Sequence, residues 1–90
     1  MSLFLSLHQA PGLSPEEIAG YAPDVAKSVH AKFRQLYVNT GTGFIVSLYE
    51  AENAAEVEQE FERVGFPFDS IHELDYTLSA EQLAEMLSRG

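Results

Sequence analysis

The sequence predicts a small α+β fold: a ferredoxin-like β-α-β-β-α-β plait with a four-stranded antiparallel sheet, helices on one face and a short C-terminal helix. Four segments have the composition and spacing of β-strands: residues 3–8, 32–39, 44–50 and 70–76. Two helix-capping patterns, Ser14–Glu17 and Asn53–Glu56, lie between these strands in the order that defines the plait. In this topology the spatial order of the strands is fourth, first, third, second.

The first strand and the first helix are separated by a turn at Pro11–Gly12. Between Leu3 and His8 the leucines occupy every second position, which is the period of a strand. Ser14 is followed by proline and two glutamates, a pattern typical of a helix N-terminus. Pro23 lies inside this helix, so we expect a bend or a break there. His30 is expected in the last turn of the helix.

The second half of the chain begins with a hairpin. Thr40–Gly43 joins the second and third strands, and its two glycines supply the positive φ values that a tight turn requires. A helix is predicted from Asn53 to the glycine at Gly65, with its glutamates exposed to solvent. Ser70–Tyr76 is the predicted fourth strand, and Ser79 precedes the short final helix.

Length and composition limit the classes of function. The chain has 90 residues and no cysteine, with 46% hydrophobic and 21% charged residues, so we expect one globular domain spanning residues 1–90. A formal charge of −9 excludes general binding to nucleic acids or anionic membranes, because both require a positive field. Divalent cations and neutral small molecules remain as ligands. Signal-peptide and membrane-spanning patterns are missing from the sequence, so we expect a cytoplasmic protein.

The two faces of the predicted sheet differ in composition, and we expect the helices to cover the leucine-rich face. That face carries Leu3, Leu5, Leu7, Leu36, Val38, Phe44, Val46 and Leu48. The opposite face carries Phe4, Ser6, His8, Gln35, Tyr37, Ile45, Ser47 and Tyr49. This second face is too apolar to remain in water and too polar for an ordinary core. We therefore predict that it packs against a second copy, which gives a homodimer.

Four short segments occur in an order, and with gaps, that match a known family: Ala10–Glu17, Leu36–Val38, Ser47–Ala51 and Val64–Pro67. They resemble a family of small bacterial α/β-plait proteins of unassigned function that includes a nickel-binding protein from actinomycetes. The resemblance covers residues 3–76 and implies a ferredoxin-like fold, a dimer and, for that member, binding of Ni²⁺. The chain departs from the family pattern at Phe33 and Leu36, where the family has Trp and Ser, and it has no cysteine on the third strand.

Histidine and carboxylate side chains on neighbouring strands are the candidate metal ligands. Without thiolates, Ni²⁺ favours imidazole nitrogen and carboxylate oxygen. The first and fourth strands are neighbours in the predicted order, so His8 is expected to approach His72 or Glu73. Which of these two shares a face with His8 depends on the register of the fourth strand. The alternative interpretation is that His8 only forms hydrogen bonds to backbone or water at the end of its strand, and that His72 only lines the edge of the sheet.

Two tyrosines and a glutamate are the candidate ligands for a small molecule. Tyr37 and Tyr49 are predicted on the same open face, and Glu50 follows directly. They would line a small pocket between subunits. The alternative is that both tyrosines are anchors of the dimer interface, since aromatic residues dominate such surfaces.

Three functions are therefore considered. The first is a small non-catalytic protein that binds Ni²⁺, with no organic cofactor. The second is a cofactor-free enzyme of the dimeric α+β barrel type, a monooxygenase or isomerase that uses His8 with Tyr49 or Tyr37 for acid–base chemistry. The third is a module whose open face serves only for dimerisation. No catalytic motif is present, and the fold alone implies no activity.

Overall fold

The structure is a computed structural model that describes residues 1–89. Its elements are β1 (Ser2–Gln9), α1 (Pro15–Gly20), α2 (Ala22–Lys27), β2 (Lys32–Asn39), β3 (Phe44–Ala51), α3 (Ala54–Val64), β4 (Ser70–Leu74) and α4 (Ala80–Arg89). The strands form one antiparallel sheet in the order β2-β3-β1-β4. The predicted α+β class, strand order and C-terminal helix are therefore confirmed.

The first helical segment is split in two, as Pro23 predicted. Ser14 caps α1: its hydroxyl accepts from the Glu17 N–H, and the Glu17 carboxylate accepts from the Ser14 N–H. The break falls at Tyr21, and Pro23 then occupies the first turn of α2, where a missing N–H costs nothing. Because α2 ends at Lys27, His30 lies in the following loop and not in a helical turn.

The β2–β3 turn is packed against the loop that follows β1. The Gly43 N–H donates to the carbonyl of Asn39, and the Gly43 carbonyl accepts from the Ala10 N–H. Gly43 has a φ of +78°, and a Cβ atom at this position would lie 2.5 Å from the backbone nitrogen of Pro11. Glycine is therefore required at position 43 both for its conformation and for lack of space.

The prediction of which sheet face lies beneath the helices is wrong for β1 and β3. The buried residues of these strands are Phe4, Ser6, His8, Ile45, Ser47, Tyr49 and Ala51. Helix α3 packs on this face with Val57 and Phe61. The small side chains on the two strands leave room for the Phe61 ring, and polar groups of His8 and Ser47 find partners there. A dimer through this face is therefore excluded, because the helices already cover it.

The opposite face is the leucine face, which the described chain leaves open. Its apolar members are half-buried: Leu3, Leu5, Leu7, Val46, Leu48 and Leu74. Tyr37 and Phe44 lie on the same side and are more exposed, at 56% and 44%. For β2 the prediction of which residues are covered is correct. Tyr37 lies on the open face, where it pairs with Val46, and Leu36 lies beneath the helices, where it pairs with Ser47.

Helix α4 extends from the rest of the molecule. None of its residues is buried, and its apolar residues Leu83, Met86 and Leu87 are between 47% and 74% exposed. The molecule is elongated and measures 46 × 31 × 22 Å. Within residues 1–89, no helix has both the length and the apolar character needed to span a membrane.

Candidate functional site

The centre of the buried face is a hydrogen-bonded pair of polar side chains, His8 and Ser47. They lie on adjacent strands, since His8 pairs with Ile45 and Ser6 pairs with Ser47. The Ser47 Oγ atom is 2.8 Å from His8 Nε2, and the Pro67 carbonyl oxygen is 2.8 Å from His8 Nδ1. Both ring nitrogens of His8 therefore have a protein partner.

The partners of His8 determine its tautomer and its charge. A carbonyl oxygen can only accept, so His8 Nδ1 carries the proton and donates to Pro67. Nε2 is then the acceptor, and the Ser47 hydroxyl donates to it. Burial lowers the pKa of His8 below 6.5, although the Pro67 bond and the Asp69 charge act in the opposite direction. His8 is consequently a neutral imidazole at neutral pH.

Aromatic rings enclose this pair. The His8 ring meets the Phe61 ring edge-on at 4.9 Å and the Phe66 ring at the same centroid distance. Phe61 also contacts the Tyr49 ring edge-on at 5.3 Å. Edge-to-face contacts of this kind are favourable and directional. They hold the imidazole in one orientation and exclude water from it.

A cavity of about 350 Å³ opens beside the pair, between the sheet and the helices α1, α2 and α3. Its wall is mostly apolar and includes Ile18, Val25, Phe33, Phe61 and Val64. The polar side chains of the wall are Ser47, Tyr49 and Tyr21. Ser47 and Tyr49 are buried, whereas Tyr21 is half-buried between α1 and α2, with its ring 5.2 Å from that of Phe66.

The pair has the contact between nucleophile and base that acyl-transfer enzymes use, but it is set in regular sheet. Ser47 lies in β3, a central strand that is hydrogen-bonded to β1 on one side and β2 on the other. Its neighbouring backbone N–H groups therefore belong to the sheet ladder and cannot act as oxyanion donors. The third member is a carbonyl and not a carboxylate. The pair instead joins β1 to β3 and to the loop at Pro67 within the core.

A second buried polar cluster is centred on Glu60 of α3, the residue before Phe61. Glu60 is fully buried, and its carboxylate accepts from Arg63 and from the His30 N–H at 2.8 Å. Burial alone would raise the pKa of Glu60, but these hydrogen bonds lower it below 4.5 overall. The prediction that the glutamates of α3 are solvated is therefore wrong for Glu60. Its spacing of three from Val57 and four from Val64 was the signal that it shares their side of the helix.

The predicted metal ligands are not brought together within one chain. His72 pairs with Leu5 and lies on the leucine face, whereas His8 lies beneath the helices. Glu73 pairs with Phe4, so it has the same parity as His8 but lies four residues away along β1, at about 13 Å. The expectation that His8 approaches His72 or Glu73 is therefore wrong. Residues 1–89 contain no group of three or more His, Asp or Glu side chains that could hold a metal ion.

The predicted small-molecule residues are also divided between the two faces. Tyr37 and Glu50 lie on the leucine face, whereas Tyr49 is in the core. The Glu50 carboxylate forms an ion pair with Arg34 at 3.4 Å. A second opening, of about 460 Å³, is lined by three carboxylates, those of Glu50, Glu73 and Asp75. The structure thus places Glu50 with the predicted metal ligand Glu73.

Comparison with known proteins identifies the family. Residues 4–74 match the family described as "Nickel responsive protein SCO4226-like". The chain belongs to this family. The crystal structure of SCO4226 from Streptomyces coelicolor A3(2) is similar to this chain, with a TM-score of 0.75 and 24% identity over 84% of this chain and 99% of that one. No curated protein matches the chain.

The family resemblance drawn from the short segments is therefore confirmed. The region that matches the SCO4226-like family contains His8, Ser47 and every residue of the cavity wall, and it includes His72 and Glu73. Helix α4, which begins at Ala80, lies beyond the matched region. The cavity and the leucine face thus belong to the family domain, and the exposed helix is an addition to it.

Proposed function

We propose that the protein is a small nickel-responsive protein that binds Ni²⁺ without catalysing a reaction, and that it acts in the cytoplasm. Membership of the nickel-responsive family is the observation on which this proposal depends. The formal charge of −9 is consistent with it, because an acidic surface attracts divalent cations.

His72 is the side chain best suited to bind the ion. Its imidazole is exposed on the leucine face, and the Ser70 hydroxyl lies 3.0 Å from Nε2. A serine hydroxyl next to water is an exchangeable partner, so the ring can turn to a metal at little cost. His8 is unsuitable because both of its nitrogens are used within the core.

A single imidazole does not make a nickel site, so the remaining ligands must come from elsewhere. Glu73 follows His72 on the other side of the strand, but it lines an opening together with Glu50 and Asp75. The leucine face leaves several half-buried leucines in water, and a second copy would cover them. We propose a homodimer through the leucine face in which both chains contribute His72 and carboxylates to Ni²⁺.

The test is titration of the protein with Ni²⁺ by calorimetry, with the oligomeric state measured by sedimentation. His72→Ala is expected to weaken Ni²⁺ binding at least tenfold, which is the effect of losing about 1.4 kcal/mol. Glu73→Gln should weaken it less, since other carboxylates remain. His30→Ala is the matched control, because His30 is an exposed histidine in the loop before β2.

Equal Ni²⁺ affinity in His72→Ala and the unaltered protein would refute the assignment of the ligand. Absence of Ni²⁺ binding to the unaltered protein would refute the function itself. In that case the half-buried leucine face would favour the alternative of a module that only dimerises.

A further inference from the structure

Helix α4 has an apolar stripe that its own chain leaves in water. Leu83, Met86 and Leu87 are three and four residues apart, which places them on one side of the helix. They are between 47% and 74% exposed, and no residue of α4 is buried. A helix of ten residues gains little stability from its own backbone and depends on packing of its apolar side. The stripe therefore requires a surface to pack against.

Strand β2 is the least covered strand of the sheet. It lies at an edge, hydrogen-bonded to β3 alone, and none of its residues is buried. Tyr37 is 56% exposed on the leucine face, and Val38 is 39% exposed on the other side. An edge strand has unpaired backbone groups, and proteins commonly protect such an edge by covering it with a helix. β2 is therefore a second surface that lacks its cover in the single chain.

The charges on these two surfaces are opposite. Two of the five basic residues of the chain, Lys32 and Arg34, are exposed on β2. α4 has Glu81 and Glu85 four residues apart on one flank. Within residues 1–89, neither Lys32 nor Glu81 forms an ion pair. Because each chain has a formal charge of −9, a contact between these groups would also offset the repulsion between two copies.

The connection from β4 leads α4 to β2 of a second copy. Leu74 ends β4 at the same end of the sheet as Lys32, but β4 and β2 are opposite edges. If two leucine faces pack about a two-fold axis parallel to the strands, β4 of each copy lies over β2 of the other, about 10 Å away. The five residues between Leu74 and Ala80 span up to about 17 Å, so α4 reaches this strand.

The lengths of the helix and the strand also agree. The ten residues of α4 extend about 15 Å, and the distance along β2 from Lys32 to Tyr37 is about 17 Å. Since the connection arrives at the Lys32 end, Glu81 in the first turn meets Lys32. The later residues of the apolar stripe, including Leu87, then lie towards Tyr37.

From these observations we infer that α4 of each copy packs along β2 of the other, with its apolar stripe towards Tyr37 and Glu81 beside Lys32. The inference rests on the proposed homodimer through the leucine face. It adds a contact made by a helix outside the matched family region, and Ni²⁺ has no part in it.

The experiment is cross-linking between two single-cysteine variants of the nickel-free protein, which are mixed and allowed to exchange subunits. The chain has no cysteine of its own, so the introduced thiols are the only ones. Gln35→Cys marks β2, and Ala84→Cys marks α4 beside its apolar stripe; both positions are exposed. A short bismaleimide should join the two variants, and mass spectrometry identifies the mixed product. Ala55→Cys on α3 replaces Gln35→Cys in the control, which should give about tenfold less of it.

Sedimentation of the same samples separates the two proposals. A dimer without the mixed product would overturn the inference about α4 and leave the leucine-face dimer in place. A monomer would overturn both. Packing of α4 on its own chain gives no mixed product from single-cysteine variants, so that outcome also counts against the inference.

Charge exchange provides a second test that needs no cross-linker. Lys32→Glu and Glu81→Lys should each weaken the dimer about fivefold, and the double variant, with the original net charge, should regain most of the affinity. Glu58→Lys on α3 changes the net charge as Glu81→Lys does, but it should not weaken the dimer. Dimer affinities in which the two exchanges act independently would overturn the inference.

Discussion

Ser6 and Ser47 face each other directly across β1 and β3, yet only one of the two hydroxyls is hydrogen-bonded. Ser47 donates to His8, whereas Ser6 Oγ is buried without a partner. An unpaired buried hydroxyl costs about 1–3 kcal/mol. Ser6→Ala is therefore expected to raise the free energy of unfolding by about 1 kcal/mol.

Ser47→Ala is the matched comparison, because it leaves His8 Nε2 without its donor. This variant should lower the free energy of unfolding by about 1–2 kcal/mol. Urea unfolding followed by circular dichroism measures both changes. Destabilisation by Ser6→Ala would show that the Ser6 hydroxyl has a partner in solution.

The lowered pKa of His8 predicts loss of stability in mild acid. Burial keeps the folded-state pKa below 6.5, so the unfolded chain takes up a proton more readily than the folded one. Stability is therefore complete above pH 6.5 and falls as the pH drops from there towards the folded pKa. The slope from this group reaches about 1.4 kcal/mol per pH unit.

Urea unfolding at a series of pH values tests this prediction against a variant. His8→Gln should be less stable at neutral pH but should lack this part of the slope. His30→Gln, in an exposed loop, should retain it. A slope that persists unchanged in His8→Gln would assign the acid sensitivity to another group.

The buried carboxylate of Glu60 predicts a large difference between two glutamates of α3. Glu60→Gln keeps the size but loses the charge that Arg63 and the His30 N–H stabilise, so we expect a loss of about 1–3 kcal/mol in unfolding free energy. Because the pKa of Glu60 is lowered, its contribution is fully present above pH 4.5 and is lost as the pH falls through the folded pKa.

Glu62→Gln is the control, since Glu62 is exposed on the same helix. Thermal unfolding at neutral pH should distinguish the two variants by several degrees. Equal midpoints of thermal unfolding for Glu60→Gln and Glu62→Gln would mean that the Glu60 carboxylate is solvated.

Two glycines with positive φ angles allow the cost of backbone strain to be measured separately from the cost of steric crowding. Gly12 and Gly43 have φ values of +85° and +78°, but only Gly43 has neighbours that a Cβ atom would meet. Gly12→Ala should therefore cost about 1 kcal/mol through its backbone alone. Gly43→Ala should cost more, because the loop at Pro11 must move. Equal losses of unfolding free energy in Gly12→Ala and Gly43→Ala, measured by chemical unfolding, would show that the loop at Pro11 moves without cost.

The leucine face predicts the effect of a charge on self-association. Leu5→Glu places a carboxylate at the centre of this face, where Leu5 pairs with both Leu48 and His72. If two copies meet there, the variant should sediment as a monomer at concentrations where the unaltered protein is a dimer. Ala55→Glu, on the exposed side of α3, should remain a dimer. A dimer in both variants would place the interface elsewhere.

Much of the fold was predictable because its signals are local. The capping residues Ser14 and Asn53, the proline at position 23 and the Thr40–Gly43 turn each determine backbone conformation within a few residues. The order of elements then selects the plait topology. Family membership was predictable from short segments for the same reason.

The faces of β1 and β3 were not predictable from hydrophobicity. Three leucines alternate with Phe4, Ser6 and His8, and apolar content alone favours burying the leucines. The deciding interactions come from distant parts of the chain: Pro67 accepts from His8, and Phe61 packs against both His8 and Tyr49. These partners are up to 59 residues apart in sequence.

The predicted proximity of His8 to His72 or Glu73 was wrong for the same reason. His8, Ser47 and Tyr49 were placed on one face correctly, but the face was assigned to the dimer and not to the core. The pairing of His72 with Leu5 then separated the two histidines. A one-residue difference in register would have reversed this result, and the sequence of β4 contains no strong alternation to decide it.

Helix α4 lies outside the matched family region and buries none of its residues. A fluorescent label or an affinity tag attached at the polar side of this helix would therefore disturb the packing of neither the sheet nor the cavity. The same helix offers a point for tethering the protein to a sensor surface, with both faces of the sheet left free.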